Sequence, residues 1–206
     1  MVGRLSILPE APSRADEIRA AALELFATLG YRATTMADIG AAVGIRGPSI
    51  YKHVPSKHEL LVTIMLDTMD RLLAAQRTAL TSSTDPVAQL RAAVYAHVHH
   101  HALHRYETCV GNSEIDNLDP TPRGQVLRRR AKYERALRSV ITNGIETGVF
   151  MTPSAQLASF AILDIGMGVS AWYDPAGAYS PGELGELYAG HALRMLGVGV
   201  PAEWRR

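Results

Sequence analysis

The segment GIRGPSIYKHVPSK, residues 44–57, carries three cations, Arg46, Lys52 and Lys57, and no carboxylate. Two prolines, Pro48 and Pro55, bracket a run that reads as a short helix over 48–54. A helix of that length is unstable alone, because nucleation costs more than one or two turns return. Neighbouring elements must therefore hold it. Ile50 and Val54, four residues apart, supply the inward face. Ser49, Tyr51, Lys52 and His53 are then left outward, with Arg46 at the turn and Lys57 just beyond.

The preceding residues supply the support. Ile18, Ala22, Leu25, Phe26 and Leu29 recur at helical spacing from Ser13, and Gly30 is predicted to end that helix as a left-handed cap. Thr35 with Asp38 forms a capping-box pattern for a second helix to Val43, predicted to bury Met36, Ile39 and Val43 before Gly44 stops it. Gly47, preceding a proline, is biased away from helical angles, so the next helix is expected to start at Pro48. Two short helices joined by a glycine turn and packed on helix 14–29 make a helix-turn-helix unit. The outward residues suit DNA. Base edges are read from a helix N-terminus in the major groove, and hydroxyls and cations grip phosphates.

Further start signals follow. Ser56 with Glu59 opens a helix to about Leu80, and Asp85-Pro86, Thr121-Pro122, Thr152-Pro153 and Ser180-Pro181 each place a capping side chain before proline. With a helix near 105–116 the chain is predicted to be all-α, about nine helices. A DNA-binding unit is expected over 1–55, ordered from about residue 13, and a ligand-binding and dimerisation unit over 56–206. Hydrophobic residues make up 47% of the 206, charged residues 20%, and the net charge is +1. That excludes a globally basic nucleic-acid binder, so any such surface is local. The single cysteine, Cys109, excludes an internal disulfide framework and suits a cytoplasmic protein. The N-terminal stretch lacks the long apolar run of a signal peptide, and the apolar run near 155–173 is interrupted by Asp164 and glycines, so no membrane association is expected.

The elements AALELFATLGYRATTMADIGAAVGI (21–45) and PSIYKHVPSKHELL (48–61) resemble the DNA-binding domain of the TetR family of bacterial transcriptional regulators. The resemblance implies that Thr35, Ser49, Tyr51, His53 and Lys57 contact phosphates, and that Arg46, Gly47, Pro48 and Lys52 lie near the bases of a double-stranded operator. Val54 stands where the family has phenylalanine, and Arg46 where a capping serine or threonine is frequent. The resemblance also implies a homodimer and a small-molecule effector that releases the operator. In that scheme helix 56–80 is the lever, with Met65, Met69 and Leu72 facing the effector.

His97 and His101, in phase with Leu90 and Val94, are predicted to point inward as ligand-binding groups, together with Asp164 and Trp172. The run HVHHHALH (97–104) has pairs four apart that can ligate a metal, but it lacks an HExxH pattern and a cysteine ligand, and no metal or cofactor is expected. The dimer surface is assigned to Leu157, Ala161, Gly168, Leu184, Leu187, Tyr188, His191 and Met195 on the last two helices. Helix 122–144 carries seven Arg or Lys residues against Glu134. The face is predicted to be solvated, or to receive an anionic ligand. GNSEIDNLDP and GMGVSAWYDPAGAYSPGEL are similar to an actinobacterial TetR subgroup, some of whose members respond to coenzyme A thioesters, which implies an acyl-CoA effector. Asp174 follows the Trp-Tyr pair where that subgroup often has arginine. Two rival readings are a DNA-binding dimer without small-molecule control and a metal-dependent enzyme built on the histidines. GxSxG, HExxH and GxGxxG are all absent, so an enzyme is not expected.

Overall fold

The computed structural model describes residues 13–199. The reading of the N-terminal stretch falls mostly on residues 1–12, outside the described residues. Among the described residues there are nine α-helices, two short 3-10 segments and no strand. The chain divides into two compact units between Leu61 and Val62.

In the first unit, α1 (Arg14–Leu29) opens with a reciprocal capping box between Ser13 and Asp16 and buries Ile18, Ala22 and Phe26, one turn apart. Gly30 has φ 87° and ψ 150°, so it leaves the helix with positive φ but extended ψ and is not the predicted left-handed cap. α2 (Met36–Ala42) starts at the Thr35–Asp38 capping box. Ile39 is buried, whereas Met36 and Val43 are only half-buried. The chain then turns tightly: the Ile45 N–H donates to the Gly40 carbonyl at 2.8 Å. A Cβ on Gly40 would lie 2.9 Å from the Ile45 oxygen, so glycine is what permits the approach.

The following segment is a 3-10 helix, Gly47–Lys52, and not an α-helix over 48–54. Gly47 enters at φ 64°, and Pro55 halts the chain after about two 3-10 turns. Arg46 precedes it with no side-chain cap. Ile50 and Val54 are both buried, as their spacing predicts. α3 (Lys57–Thr81) begins immediately afterwards, and the Ser56 hydroxyl accepts the Glu59 N–H at 3.0 Å.

The second unit contains the rest of α3 with α4 (Pro86–Leu103), α5 (Arg105–Ser113), α6 (Pro120–Glu146), α7 (Ala155–Met167), α8 (Val169–Trp172) and α9 (Pro181–Met195). A 3-10 turn, Ile115–Asn117, links α5 to α6. Asp85 caps α4, and Ser180 with Glu183 forms the predicted capping box on α9. Two predicted caps fail. α6 starts two residues before Pro122, at Asp119-Pro120, because that pair offers the same N-cap and proline combination earlier. α7 starts after Ser154, whose hydroxyl accepts the Leu157 N–H, so Thr152-Pro153 lies in the approach loop.

α4 lies at the centre of the unit, packed on α9, α6 and α7. Leu90, Ala93, Val94, Val98 and Ala102 from α4 meet Leu137, Val140 and Ile141 from α6, Ile162 from α7, and Leu184, Ala189, Ala192 and Leu193 from α9. Residues 155–172 have the length and apolar composition of a membrane span, with mean hydropathy 1.2. The helix nevertheless breaks at Gly168, leaving α7 with 13 residues. That is about 20 Å of helix, short of the ~30 Å of a bilayer core.

The return from α6 toward α7 depends on Gly144, against which the Phe150 ring packs. A Cβ there would fall 1.9 Å from a ring carbon, and the Phe150 N–H is tied to the Gly144 carbonyl at 2.9 Å. Gly144→Ala is expected to destabilise the protein by about 2–3 kcal/mol through overpacking, read as a fall in the urea midpoint. Gly124→Ala, which meets only the movable Arg128 guanidinium at 3.3 Å, is expected to stabilise by about 0.5–1 kcal/mol.

Candidate nucleic-acid interface and ligand cavity

The outward residues of the first unit are where their spacing placed them. Thr35, Arg46, Gly47, Pro48, Ser49, Tyr51, Lys52 and His53 are all exposed, while Ile50 and Val54 anchor the 3-10 turn beneath them. Thr35 has a second engagement, since its hydroxyl and backbone N–H both meet the Asp38 carboxylate, at 2.7 and 2.9 Å. Lys57 departs from the expectation. Its ammonium donates to the Tyr31 and Thr34 carbonyls at 2.8 and 2.7 Å and sits 4.3 Å from the centre of the Tyr31 ring. Its charge is therefore committed first to holding the loop between α1 and α2.

In the second unit a cavity of about 440 Å³ opens between α3, α4, α5, α6 and α7. That lies within the ~300–1,000 Å³ range of small-molecule sites. Four of the predicted effector residues from α3 and α4, Met69, Leu72, His97 and His101, form its walls, joined by Asp164 from α7. Met65 and Trp172 do not. Met65 is 2% exposed and buried one turn before the wall residue Met69, past the end of the cavity lining on α3. Trp172 ends the short α8, beyond the break at Gly168, and is 53% exposed.

His97 is fixed from two sides. Its Nε2 lies 2.9 Å from the Leu163 carbonyl and its Nδ1 3.0 Å from the Tyr133 hydroxyl. The carbonyl can only accept, so Nε2 carries the proton and Nδ1 accepts from Tyr133. His101 carries the opposite tautomer. The Thr108 hydroxyl donates to the His104 carbonyl at 3.0 Å, so it accepts the 2.7 Å bond from His101 Nδ1–H. Burial pulls His97 down to about 4, against the raising effect of the Leu163 carbonyl and Asp164. Burial, with His97, His100 and His104 nearby, pulls His101 down to about 2. Both are neutral at pH 7. Burial pushes the Tyr133 phenol up, which keeps it a donor.

Sequence reasoning missed three features of the site. His100, not predicted to point inward, is buried with Nε2 unpartnered, and burial is the main cause that lowers its pKa to about 4. Glu107 enters the cavity wall from α5. Its burial pushes it up, but the His104 hydrogen bond and the His104 and Arg71 charges outweigh this, leaving its carboxyl below the usual range. Arg130, one of the cationic run, also enters the wall and donates to the Gly111 carbonyl at 2.6 Å, and burial lowers its pKa. α5 is amphipathic with Thr108 and Val110 buried, and that phase is the signal that could have placed Glu107 beside the inner face. Among the described residues no group of three or more His, Cys, Asp or Glu side chains is placed to hold a metal ion.

Two matches to family models divide the chain as the structure does. Residues 18–64 match the model described as bacterial regulatory proteins of the tetR family, and residues 83–196 match the tetracyclin repressor-like C-terminal domain. The chain belongs to the TetR family. It is 31% identical over 182 residues to the HTH-type transcriptional repressor KstR2 of Mycobacterium tuberculosis, covering 85% of this chain and 89% of that protein. A tetR-family regulatory protein from Rhodococcus RHA1 superposes with a TM-score of 0.83 at 31% identity, covering 92% of this chain and all of that one. AibR, solved in complex with isovaleryl coenzyme A and operator DNA, shares the fold with a TM-score of 0.77 at 23% identity, covering 89% and 98% of the two chains. As a TetR-family protein the chain is a DNA-binding transcription regulator and not of an enzyme family.

The assigned dimer residues divide in the structure. Leu157 is 68% exposed, Leu187 and Met195 are exposed apolar side chains, and Gly168 and His191 are also exposed. Ala161 and Tyr188 are half-buried, and Tyr188 packs on the core. Leu184 is 2% exposed and belongs to the core of its own subunit. The reason is phase: Leu187, His191 and Met195 are four apart along one face, and Leu184 faces α4 with Ala189 and Leu193.

The neutral histidines make stability pH-dependent. Their folded pKa values lie below the unfolded 6.5, so the unfolded chain binds more protons between 6.5 and about 4. Stability is therefore full above 6.5 and falls as pH drops through that window. For the fully buried His97 the loss is on the order of 3 kcal/mol. Urea unfolding from pH 7 to 4 is expected to show the decline, with a shallower slope in His97→Gln.

Proposed function

We propose that the chain is a ligand-responsive transcriptional repressor that binds a palindromic operator as a homodimer in the cytoplasm and leaves it when a small molecule fills the cavity. The observation that carries this reading is the pairing, in one chain, of an exposed basic 3-10 turn on a helix-turn-helix with a largely apolar cavity of ligand size in a separate unit. KstR2, to which the chain is similar, is a transcriptional repressor. Arg46 and Lys52, both exposed, are the base-reading candidates. Thr35, Ser49, Tyr51 and His53 are the phosphate contacts, and Gly47 and Pro48 bring the backbone close to the groove. Lys57 serves by holding the loop. The exposed apolar side chains Leu157, Leu187 and Met195 on α7 and α9 supply the dimer surface, and the twofold would space two readers by about 34–36 Å.

The effector proposed is an acyl-CoA. The exposed cations of α6, Arg128, Lys132 and Arg135, favour a ligand whose anionic part lies outside the cavity, and AibR holds a coenzyme A thioester within this fold. α3 contributes Lys57 to the first unit and Met69 and Leu72 to the cavity, which makes it the element through which filling the cavity acts on the reader. Linkage then requires that the effector weaken DNA binding by the same factor by which DNA weakens effector binding.

Fluorescence anisotropy on DNA from upstream of its own gene, at fixed salt, tests both parts. Tight binding released by long-chain acyl-CoA is expected. Binding with no release would overturn the acyl-CoA assignment. Lys52→Ala is expected to cost about 1–3 kcal/mol and to relax base preference, whereas Tyr51→Phe is expected to weaken all sequences alike. Unchanged binding in both would overturn the reader assignment.

A further inference from the structure

The inner part of the cavity contains one acceptor whose partner is not supplied by the protein. His101 is 5% exposed, and its Nδ1–H is used by Thr108, which is itself used by the His104 carbonyl. This chain of bonds leaves Nε2 as a bare lone pair on a residue of the cavity wall. Its neighbour His97 is closed at both nitrogens, and the two rings stand edge to face with centroids 4.4 Å apart. The other acceptors nearby are already committed. Glu107 meets His104 at 3.2 Å and Arg71 at 3.6 Å. Glu134 accepts from Ser159 at 2.6 Å and lies 3.6 Å from Arg138. Asp164, also in the wall, is exposed. The apolar part of the cavity wall comes from Met69, Leu72, Phe160, Leu163 and Met167.

We propose that His101 Nε2 is the acceptor that selects an effector bearing a hydroxyl group on an apolar body. The assignment rests on the ligand-responsive reading above and specifies its ligand. A ligand without a donor would seal this lone pair against carbon and forfeit a hydrogen bond in a site where burial makes the loss full. An ammonium does not suit the position, because a buried cation needs an uncommitted carboxylate, and Glu107 and Glu134 have partners. A phosphate does not suit it either, since Glu107, Glu134 and Asp164 line the same cavity and repel an anion. The hydroxyl therefore belongs to the acyl part of a thioester effector, and the phosphates lie away from this end. Arg130, on the same cavity wall, retains N–H groups beyond the one given to Gly111 and can donate to another oxygen of the ligand.

The test uses the full-length protein and two chains of nearly equal shape, 1-dodecanol and 1-fluorododecane, titrated calorimetrically. The alcohol is expected to bind about tenfold more tightly than the fluoride, the size of one well-made hydrogen bond plus an avoided unpaired acceptor. His101→Asn keeps a donor for Thr108 and removes the acceptor, and is expected to bring the ratio to about one. His101→Gln, whose amide oxygen reaches toward the Nε2 position, is expected to restore part of it. Equal affinities in the native protein, a tenfold ratio surviving in His101→Asn, or no saturable binding of the alcohol would each overturn the proposal. Should the variants not fold, the His101 Nε2 resonance of ¹⁵N-histidine-labelled native protein decides. It is expected to shift with the alcohol and not with the fluoride, and a shift with neither overturns the assignment. Operator release is measured separately by anisotropy. If the alcohol prefers His101 yet no filling of the cavity releases DNA, the ligand-responsive reading fails and the hydroxyl site stands. If both compounds release DNA equally, in the native protein and in His101→Asn, the reading stands and the hydroxyl site fails.

Discussion

His97 joins three helices through one ring. From α4 it donates to the Leu163 carbonyl on α7 and accepts from Tyr133 on α6. The approach is close enough that a Cβ on Gly166 would fall 2.5 Å from the His97 ring. Neither partner bond is strong alone, about 1 kcal/mol net. Breaking one, however, leaves a buried polar group with the full penalty of burial, so the three helices hold their spacing together. The cavity exists because of that spacing. His97 and Tyr133 are themselves in its wall, with α3 and α5 closing the rest, and Gln76 on α3 adds a parallel tie by donating to the Tyr133 carbonyl at 2.9 Å.

Most of the helix-turn-helix was legible because its signals are local. The capping box at Thr35, proline at the first helical positions and the four-residue step from Ile50 to Val54 are all set by short-range geometry. The 3-10 form of the reader was not legible. Nothing in GPSIYK distinguishes one hydrogen-bond ladder from the other until the space between Gly47 and Pro55 is fixed by packing. Lys57 shows the same limit. As one cation among three it reads as a phosphate contact, and only the folded loop reveals two carbonyls within its reach.

The cavity was legible where it depended on phase. His97 and His101 follow Leu90 and Val94 inward along α4, and both line it. The failures are long-range. Met65 and Met69 are one turn apart on one face and chemically alike, yet the cavity reaches Met69 and stops short of Met65. Leu184 reads as part of a surface stripe because helix α9 is apolar on two faces, and only the position of α4 shows which face is internal. A stripe predicts that a helix is covered; it does not say by which chain.

The arginines of α6 decide where an anion can sit. Seven basic side chains on one helix suggest a phosphate site, but the structure has assigned several of them. Arg123 pairs with Asp116 at 3.0 Å, Arg129 with Asp70 at 2.7 Å, Arg138 lies 3.6 Å from Glu134, and Arg130 donates into the cavity wall. Arg128, Lys132 and Arg135 remain exposed, without an ion pair among the described residues. Phosphates held there would stay in water, where each charge contact is worth little and is screened by salt. Inside the cavity the balance reverses, since Glu107, Glu134 and Asp164 outnumber Arg130. A coenzyme A thioester can satisfy both environments only in one orientation, acyl part inward and phosphates outward along α6. Affinity would then reside mainly in the exposed cations and vary with salt. Discrimination among acyl parts would reside at His101, where the dielectric is low and an unmatched group is costly.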